Sequence, residues 1–195
     1  MVSYIVYDGF YEDPYKIREI ALNEEFKVVR NLPGVRTRSF INDDIKQKIS
    51  SIIRPFSGEV TDWLDGTDTG QFISATSSDA CWFHTDQYTN WAGVLFLTPN
   101  PPINTGTGLF RHKDSGLYRA PKESGKPVGY DHHLVKHLEN DYMDKTKWEM
   151  IDMIGNVFNR LVLYRGDIFH NSLDYFGDSP ENGRLFQTFF FCTEK

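Results

Sequence analysis

The sequence predicts a mainly β fold with helices confined to its N-terminal part, arranged as an antiparallel sandwich or jelly roll. Three observations carry this. Beyond Val60, short apolar runs alternate with turns rich in Gly, Thr and Ser, the texture of antiparallel all-β architecture. Aromatic residues make up 15% of the chain, and such side chains favour half-buried, pleated surfaces. The two stripes of apolar residues at helical spacing, one from Ile17 and one from Ile45, lie before residue 55.

Tyr4 to Tyr7 reads as a short strand closed by the turn Asp8-Gly9. Asp13-Pro14 starts a helix, because Asp caps free N–H groups and Pro suits the first helical position. Ile17, Ile20 and Ala21 carry that helix to about Phe26. Asn31-Leu32-Pro33-Gly34 interrupts the chain, and Arg36 to Phe40 is extended. Asn42 caps a second helix with the stripe Ile45, Ile49, Ile52 and Ile53, ending near Arg54-Pro55. Both helices read as a buttress for the core. The expected later strands are Gln71 to Thr76, Cys81 to Asp86, Trp91 to Leu97, Gly108 to His112, Glu149 to Ile154, Arg160 to Tyr164 and Leu185 to Cys192. Gly106-Thr107-Gly108 lacks the Lys-Ser/Thr of a phosphate loop and reads as a turn entering a strand.

The 195 residues suit a single domain, 1–195, with a substantial core. Arg111 to Lys147 stands apart as an inserted, lid-like segment. It is poor in β-branched residues, carries +2 within a chain of net charge −6, and holds four of the six histidines. His132, His133 and His137 have no companion cysteine pair, so this stretch reads as a charged lid rather than a second metal site. The acidic balance argues against nucleic acid or anionic membrane as partner. Two cysteines, Cys81 and Cys192, form no disulfide framework. No apolar run reaches membrane-spanning length, and Met1 to Phe10 lacks the pattern of a signal peptide. The expectation is a soluble cytoplasmic protein, with a homo-oligomer left open.

The chemistry centres on His84-Thr85-Asp86. In an extended chain residues i and i+2 share a face, so His84 and Asp86 can reach one metal ion. His170, after the turn Gly166-Asp167, supplies a third ligand from a distant strand. Two imidazoles and one carboxylate suit a non-haem Fe(II) oxygenase. Arg184 follows fourteen residues later, far enough to return along the next strand and hold the far carboxylate of a 2-oxo acid. Alone, His-x-Asp describes a surface pair as well as a ligand pair, and Arg184 alone describes an ion pair with Asp174 or Asp178. The ordered set in a β-rich chain favours the metal centre. Cys81, at an odd offset from His84, is expected to point away from the metal. Trp82 is expected to wall the site, and Arg160 to pair with a carboxylate.

The order His-x-Asp, His, then Arg on the last core strand resembles the Fe(II)/2-oxoglutarate dioxygenase superfamily. His170 with Gly183-Arg184-Leu185-Phe186 is similar to its prolyl-hydroxylase-like members. Asn90 to Pro99, Gly106 to His112 and Phe158-Asn159-Arg160-Leu161-Val162 resemble the DUF6445-type family of bacteria and tailed phages. The resemblance spans about Tyr4 to Phe191 and implies a double-stranded β-helix (jelly roll, cupin-like). It implies Fe(II) on His84, Asp86 and His170 and 2-oxoglutarate on Arg184. O2 would be consumed, succinate and CO2 released, with ascorbate as a supporting reductant. Asp86 makes hydroxylation the implied outcome, because halogenating relatives lack that carboxylate. The implied substrate is a peptide side chain or a small amino-acid-like metabolite, in a host cytoplasm if the chain is phage-encoded. Many relatives carry Ser or Thr two residues after the Arg. Phe186 stands there, leaving Thr188 or Tyr88 as candidate second contacts. The alternatives are a non-catalytic jelly-roll binding protein and a cupin-like metal enzyme that does not use 2-oxoglutarate.

Overall fold

The structure is a computed structural model describing every residue except 1, 30–31, 66–67, 87, 124–125, 128–132, 137 and 139. In chain order its elements are β1 (Tyr4–Asp8), α1 (Pro14–Leu22), β2 (Lys27–Val28), β3 (Val35–Ser39), α2 (Asp43–Ser57), β4 (Val60–Trp63), β5 (Gln71–Ala75) and β6 (Trp91–Phe96). There follow β7 (Thr107–His112), β8 (Lys122–Glu123), β9 (Lys126–Pro127), α3 (His133–Lys136), β10 (Trp148–Ile154), β11 (Arg160–Arg165), β12 (His170–Ser172) and β13 (Arg184–Thr193). The major sheet has the order β1-β11-β6-β13-β5-β3-β2, with β4 added to β13. The minor sheet is β10-β7-β12. All their pairings are antiparallel. The architecture is a double-stranded β-helix with its helices packed outside.

The central strands are apolar on both faces because the major sheet is covered twice. One face, with Trp91, Leu95, Leu161, Leu163, Leu185 and Phe189, packs on Ala21 of α1 and on Ile45, Ile49 and Ile53 of α2. The other face, with Ile73, Val94, Phe96, Val162, Tyr164 and Phe186, meets Leu109 and Ile154 of the minor sheet. Alternate residues of β13 therefore go to different layers, and the inward set begins with Arg184 and Phe186.

Asp13 and Asn42 cap their helices as expected, accepting hydrogen bonds from the backbone N–H groups of Lys16 and Ile45. α1 stops at Leu22, four residues short of the expected end. Phe26 packs against the core from the extended segment that leads into β2. α2 continues through Pro55 to Ser57, because its last turn is tied down: the Ser57 hydroxyl accepts from Trp91 Nε1 and pairs with Thr193. Cys81 to Asp86 is not a strand. Its N–H groups go to three separate places: Phe83 to Tyr142, His84 to His170 and Asp86 to Gly166. Only His84 makes a β-bridge.

The described residues of the segment that begins beyond β7 pack behind Phe83 and Phe169, the neighbours of His84 and His170. Val135 and Leu138 join Phe83, Phe110, Trp148 and Phe169 in a separate apolar cluster. The N–H of Ala120 donates to Asp167 and that of Phe169 to Tyr118. The expectation for His132 and His137 lies outside the described residues, as does the His133 side chain. Among the described residues, no helix is long and apolar enough to cross a membrane. Arg160 pairs with Asp8 through two hydrogen bonds of 2.6 and 2.9 Å.

Asn159 holds the start of β11 in the left-handed region, at φ 64°. Its carbonyl accepts from the N–H groups of Gly9 and Phe10, and its side chain exchanges two 2.8 Å hydrogen bonds with the Tyr11 backbone. Asn159→Ala loses both side-chain bonds and adds backbone strain, so urea unfolding should show a loss of about 2–4 kcal/mol. Asn159→Gly keeps the conformation and should lose about half as much.

Candidate metal centre

The antiparallel bridge between His84 and His170 is the local device that builds the site. The two residues exchange both backbone hydrogen bonds, at 3.1 and 2.9 Å. Directly opposed residues of such a pair project to the same side, and the imidazole centroids are 4.3 Å apart. Asp86 follows at i+2, its N–H donating to the Gly166 carbonyl at 2.7 Å. Gly166 has to be glycine for this approach: a Cβ would stand 2.5 Å from the Thr89 carbonyl and 2.9 Å from that of Asp86. Ligand-capable atoms of His84, Asp86 and His170 all lie within 4.8 Å of one another.

The hydrogen bonds around the imidazoles select their tautomers. Nδ1 of His84 is 3.0 Å from the Trp82 carbonyl, and Nδ1 of His170 is 2.9 Å from the Ile168 carbonyl. A carbonyl only accepts, so each Nδ1 carries the proton and each Nε2 presents a lone pair. Burial, with His84 adding to it, pushes the His170 imidazole well below its ordinary pKa and keeps it neutral. Asp86 Oδ2 is buried without a hydrogen-bond partner, 3.4 Å from His170 Nε2. Burial pushes the Asp86 carboxyl up to about 6. Two bare imidazole lone pairs and an orphaned carboxylate oxygen fit a divalent cation of the Fe(II) type.

These residues line a cavity of about 240 Å³ between the two sheets, walled by Trp82, Val94, Tyr164, Tyr175 and Phe186. Arg184 lies beneath its inner wall, 1% exposed, with its guanidinium stacked 4.4 Å from the Phe186 ring and 5.6 Å from the Tyr175 ring. It donates from Nε to the Thr105 carbonyl at 2.9 Å and from Nη2 toward Gly106 at 3.4 Å, whereas Nη1 has no partner. Burial lowers its pKa. Neither Asp174 nor Asp178 forms an ion pair with it among the described residues. Phe186 therefore occupies the position two residues after the arginine as a stacking surface rather than as a donor.

Thr188 lines the cavity, but its hydroxyl donates to the Asp68 carbonyl at 2.6 Å. Tyr88 is 84% exposed and does not wall the cavity that holds the three ligand-capable side chains. Trp82 walls the site as expected. Cys81 does not line the cavity that holds His84, Asp86 and His170; it packs on the inner cluster, where burial raises its thiol pKa against the Tyr175 hydrogen bond and Arg184. Sequence reasoning also missed Tyr164, Tyr175 and Arg36 as cavity residues. For Tyr164 the signal was present, because it shares the inward face of β11 with Val162. Burial pushes Tyr175 up to about 12 and also raises Tyr164 well above the ordinary value, so both phenols keep their protons.

A double-stranded β-helix carrying an inward-facing His/Asp/His cluster defines the architectural class. The sequence matches, over residues 2–191, a family described as a family of unknown function (DUF6445), and the chain belongs to that family. No curated protein matches by sequence. In structure the chain is similar to HygX from Streptomyces hygroscopicus, solved with nickel, 2-oxoglutarate and hygromycin B bound. The TM-score is 0.63 at 9% identity, covering 98% of this chain and 83% of that one. It is also similar to a prolyl hydroxylase from Trichoplax adhaerens in complex with a hypoxia-inducible-factor peptide fragment, at TM-score 0.57 and 12% identity, over 98% and 84% of the two chains. EctD from S. alaskensis gives 0.51 at 10% identity, over 97% and 72%.

The Asp86 carboxyl gives a pH test. Its folded-state pKa is raised, so the folded state keeps the proton to higher pH than the unfolded chain. The penalty is absent below the ordinary value of 3.8 and fully present above about 6. Asp86→Asn should therefore stabilise the metal-free protein at pH 8 by roughly 3 kcal/mol and leave it nearly unchanged at pH 3.5, read by denaturant unfolding. Added Ni(II) should raise the melting temperature of the native sequence at pH 8 and have little effect on the Asn variant.

Proposed function

We infer that this protein is an Fe(II)- and 2-oxoglutarate-dependent dioxygenase that hydroxylates a peptide side chain or a small amino-acid-like metabolite, releasing succinate and CO2. The observation that carries the reading is the convergence of two Nδ1-tethered imidazoles with a partnerless buried carboxylate oxygen at one cavity. The orphaned Nη1 of Arg184, behind the Tyr175 and Phe186 walls of the same cavity, supports 2-oxoglutarate as the co-substrate. HygX, with the same fold, has been solved with a divalent metal and 2-oxoglutarate bound.

In this reading His84, Asp86 and His170 would hold the iron, a two-imidazole, one-carboxylate set suited to non-haem Fe(II). Bound iron and 2-oxoglutarate together supply O2 activation and the oxidising equivalents for C–H hydroxylation. Arg184 takes the far carboxylate of the 2-oxo acid, its stack of Phe96, Tyr175 and Phe186 fixing the fork. Tyr164 and Tyr175, protonated at any working pH, donate hydrogen bonds to carboxylate oxygens along the way. Val94 and Phe186 exclude water. The Trp82 and Ile168 carbonyls hold the Nδ1 protons, so neither imidazole offers Nε2 as a donor.

Incubation with Fe(II), 2-oxoglutarate, O2 and ascorbate should release succinate. His170→Ala should abolish both turnover and metal-induced thermal stabilisation. Arg184→Met should keep the metal response and raise the KM for 2-oxoglutarate about 100-fold, as expected when one partner of a buried charge pair is lost. No succinate above blank across a broad substrate panel, together with no spectral response of the anaerobic Fe(II) protein to 2-oxoglutarate, would overturn the reading in favour of a non-catalytic jelly roll.

A further inference from the structure

The cavity has a second cation that the oxygenase reading does not use. Arg36 lies on β3, two strands away from β13. The register aligns Arg36 with Ile73 and Ile73 with Phe186, which in turn pairs with Phe96. Directly paired residues share a face, so Arg36 projects to the inner side with Ile73 and Phe186 and lines the same cavity as His84, Asp86 and His170. It is 7% exposed. Its Nη1 donates to the Pro33 carbonyl at 3.0 Å, but its Nε is buried without a partner.

The nearest carboxylate is Asp68, whose Oδ1 is 3.9 Å from Arg36 Nε, too far for a hydrogen bond. Asp68 lines the cavity too, with its side chain 46% exposed. Burying a guanidinium with an unsatisfied N–H is costly unless something completes its shell. Arg165 has a similar orphaned Nε, but it stacks on Trp91, donates to the Lys195 carbonyl and does not line this cavity. Arg36 differs because open space lies beside it. Its surroundings differ from those of Arg184 as well. Arg184 is walled in by Phe96, Tyr175 and Phe186, whereas Arg36 has Leu32, Pro33, Asp68 and Trp82 as companions on the more exposed side of the cavity.

We propose that Arg36 and Asp68 form the prime-substrate subsite of this cavity, and that the substrate is a free α-amino acid whose carboxylate is held by Arg36 and whose ammonium is held by Asp68. The proposal rests on the oxygenase reading. A cation and an anion side by side, 3.9 Å apart with no hydrogen bond between them, match the two ends of a zwitterion. A planar guanidinium fork suits a carboxylate in particular. The zwitterion would share this cavity of about 240 Å³ with the 2-oxo acid. Arg184 and Arg36 then divide two carboxylates between them, one from each reactant, with the Tyr175 phenol in electrostatic reach of both guanidiniums.

The test uses the full chain loaded anaerobically with Fe(II) and 2-oxoglutarate. The charge-transfer band of that complex reports cofactor binding, and the fluorescence of Trp82 and its neighbours reports the second ligand. The probes are the twenty L-amino acids and their α-carboxamides. At least one free acid should bind at least tenfold more tightly than its amide. Arg36→Met should remove that preference and keep the charge-transfer band, and Arg36→Lys should restore part of the preference. Asp68→Asn should weaken the free acid and its amide alike, since both carry the ammonium. Equal binding of acids and amides, or no binding by any probe while the band forms, overturns the proposal and leaves the oxygenase reading standing. Loss of the band in Arg36→Met with its retention in Arg184→Met also overturns the proposal, because Arg36 would then be the cofactor anchor. Failure of the band in the native protein overturns both.

Discussion

The two-way backbone hydrogen bond between His84 and His170 is the constraint on which the rest of the site depends. It joins a segment with no strand partner of its own to the short strand β12, and it does so at the two residues whose imidazoles must converge. Side-chain rotamers can aim an imidazole only if the backbone already brings it within reach. Here the pairing sets the distance, and the carbonyls of Trp82 and Ile168 set the ring orientation. Both carbonyls lie two residues before the histidine they hold. Each ligand thus carries its own orienting group on its own chain segment, and the site needs no remote carboxylate to fix the tautomers.

That bridge is supported from behind. Phe83 stacks on Trp148 at 4.8 Å and meets Phe110 edge-on at 4.7 Å, while its N–H donates to the Tyr142 carbonyl. On the other side Asp167 is buried and paired with Arg119 and Lys122, at 2.8 and 3.2 Å. Phe110 belongs to β7 and Trp148 to β10, whereas Tyr142, Arg119 and Lys122 come from the long segment between those strands. Among its described residues none lines the ligand cavity. Among the described residues, its packing backs the residues on either side of His84 and His170.

Much of the fold was legible because hydrophobic periodicity and chain punctuation are local signals. The strands at residues 91–96, 107–112, 148–154, 160–165 and 184–193 stand within about a residue of their expected limits. Asn42 and Asp13 announced their helices. The convergence of His84, Asp86 and His170 was legible for the same kind of reason, since spacing and order constrain which faces meet. What was not legible depended on partners distant in sequence. The segment at Cys81 looked like a strand, yet its hydrogen bonds go to three different segments. Tyr88 looked like a cofactor contact by proximity to Asp86, yet it projects to solvent. Arg36 was passed over because nothing in Val35-Arg36-Thr37 says that β3 joins the far side of β5.

The unsatisfied polar atoms of the cavity make one physical argument together. Asp86 Oδ2, Arg184 Nη1 and Arg36 Nε are each buried without a hydrogen-bond partner, and all three belong to side chains lining or backing a single space. Desolvation acts on all three in the same sense, raising the carboxyl and lowering both guanidiniums toward neutrality. A folded chain retains such groups only where the rest of the core outweighs their cost. The doubly covered major sheet provides that surplus, with Trp91, Leu95, Phe189 and Phe191 fully buried against the helices on its outer face. The outer layer therefore holds the inner layer in an under-satisfied state. In the proposed reading, a cation meeting the carboxylate and anions meeting the guanidiniums would enter a site already desolvated and oriented for them, so that little reorganisation would remain to oppose binding.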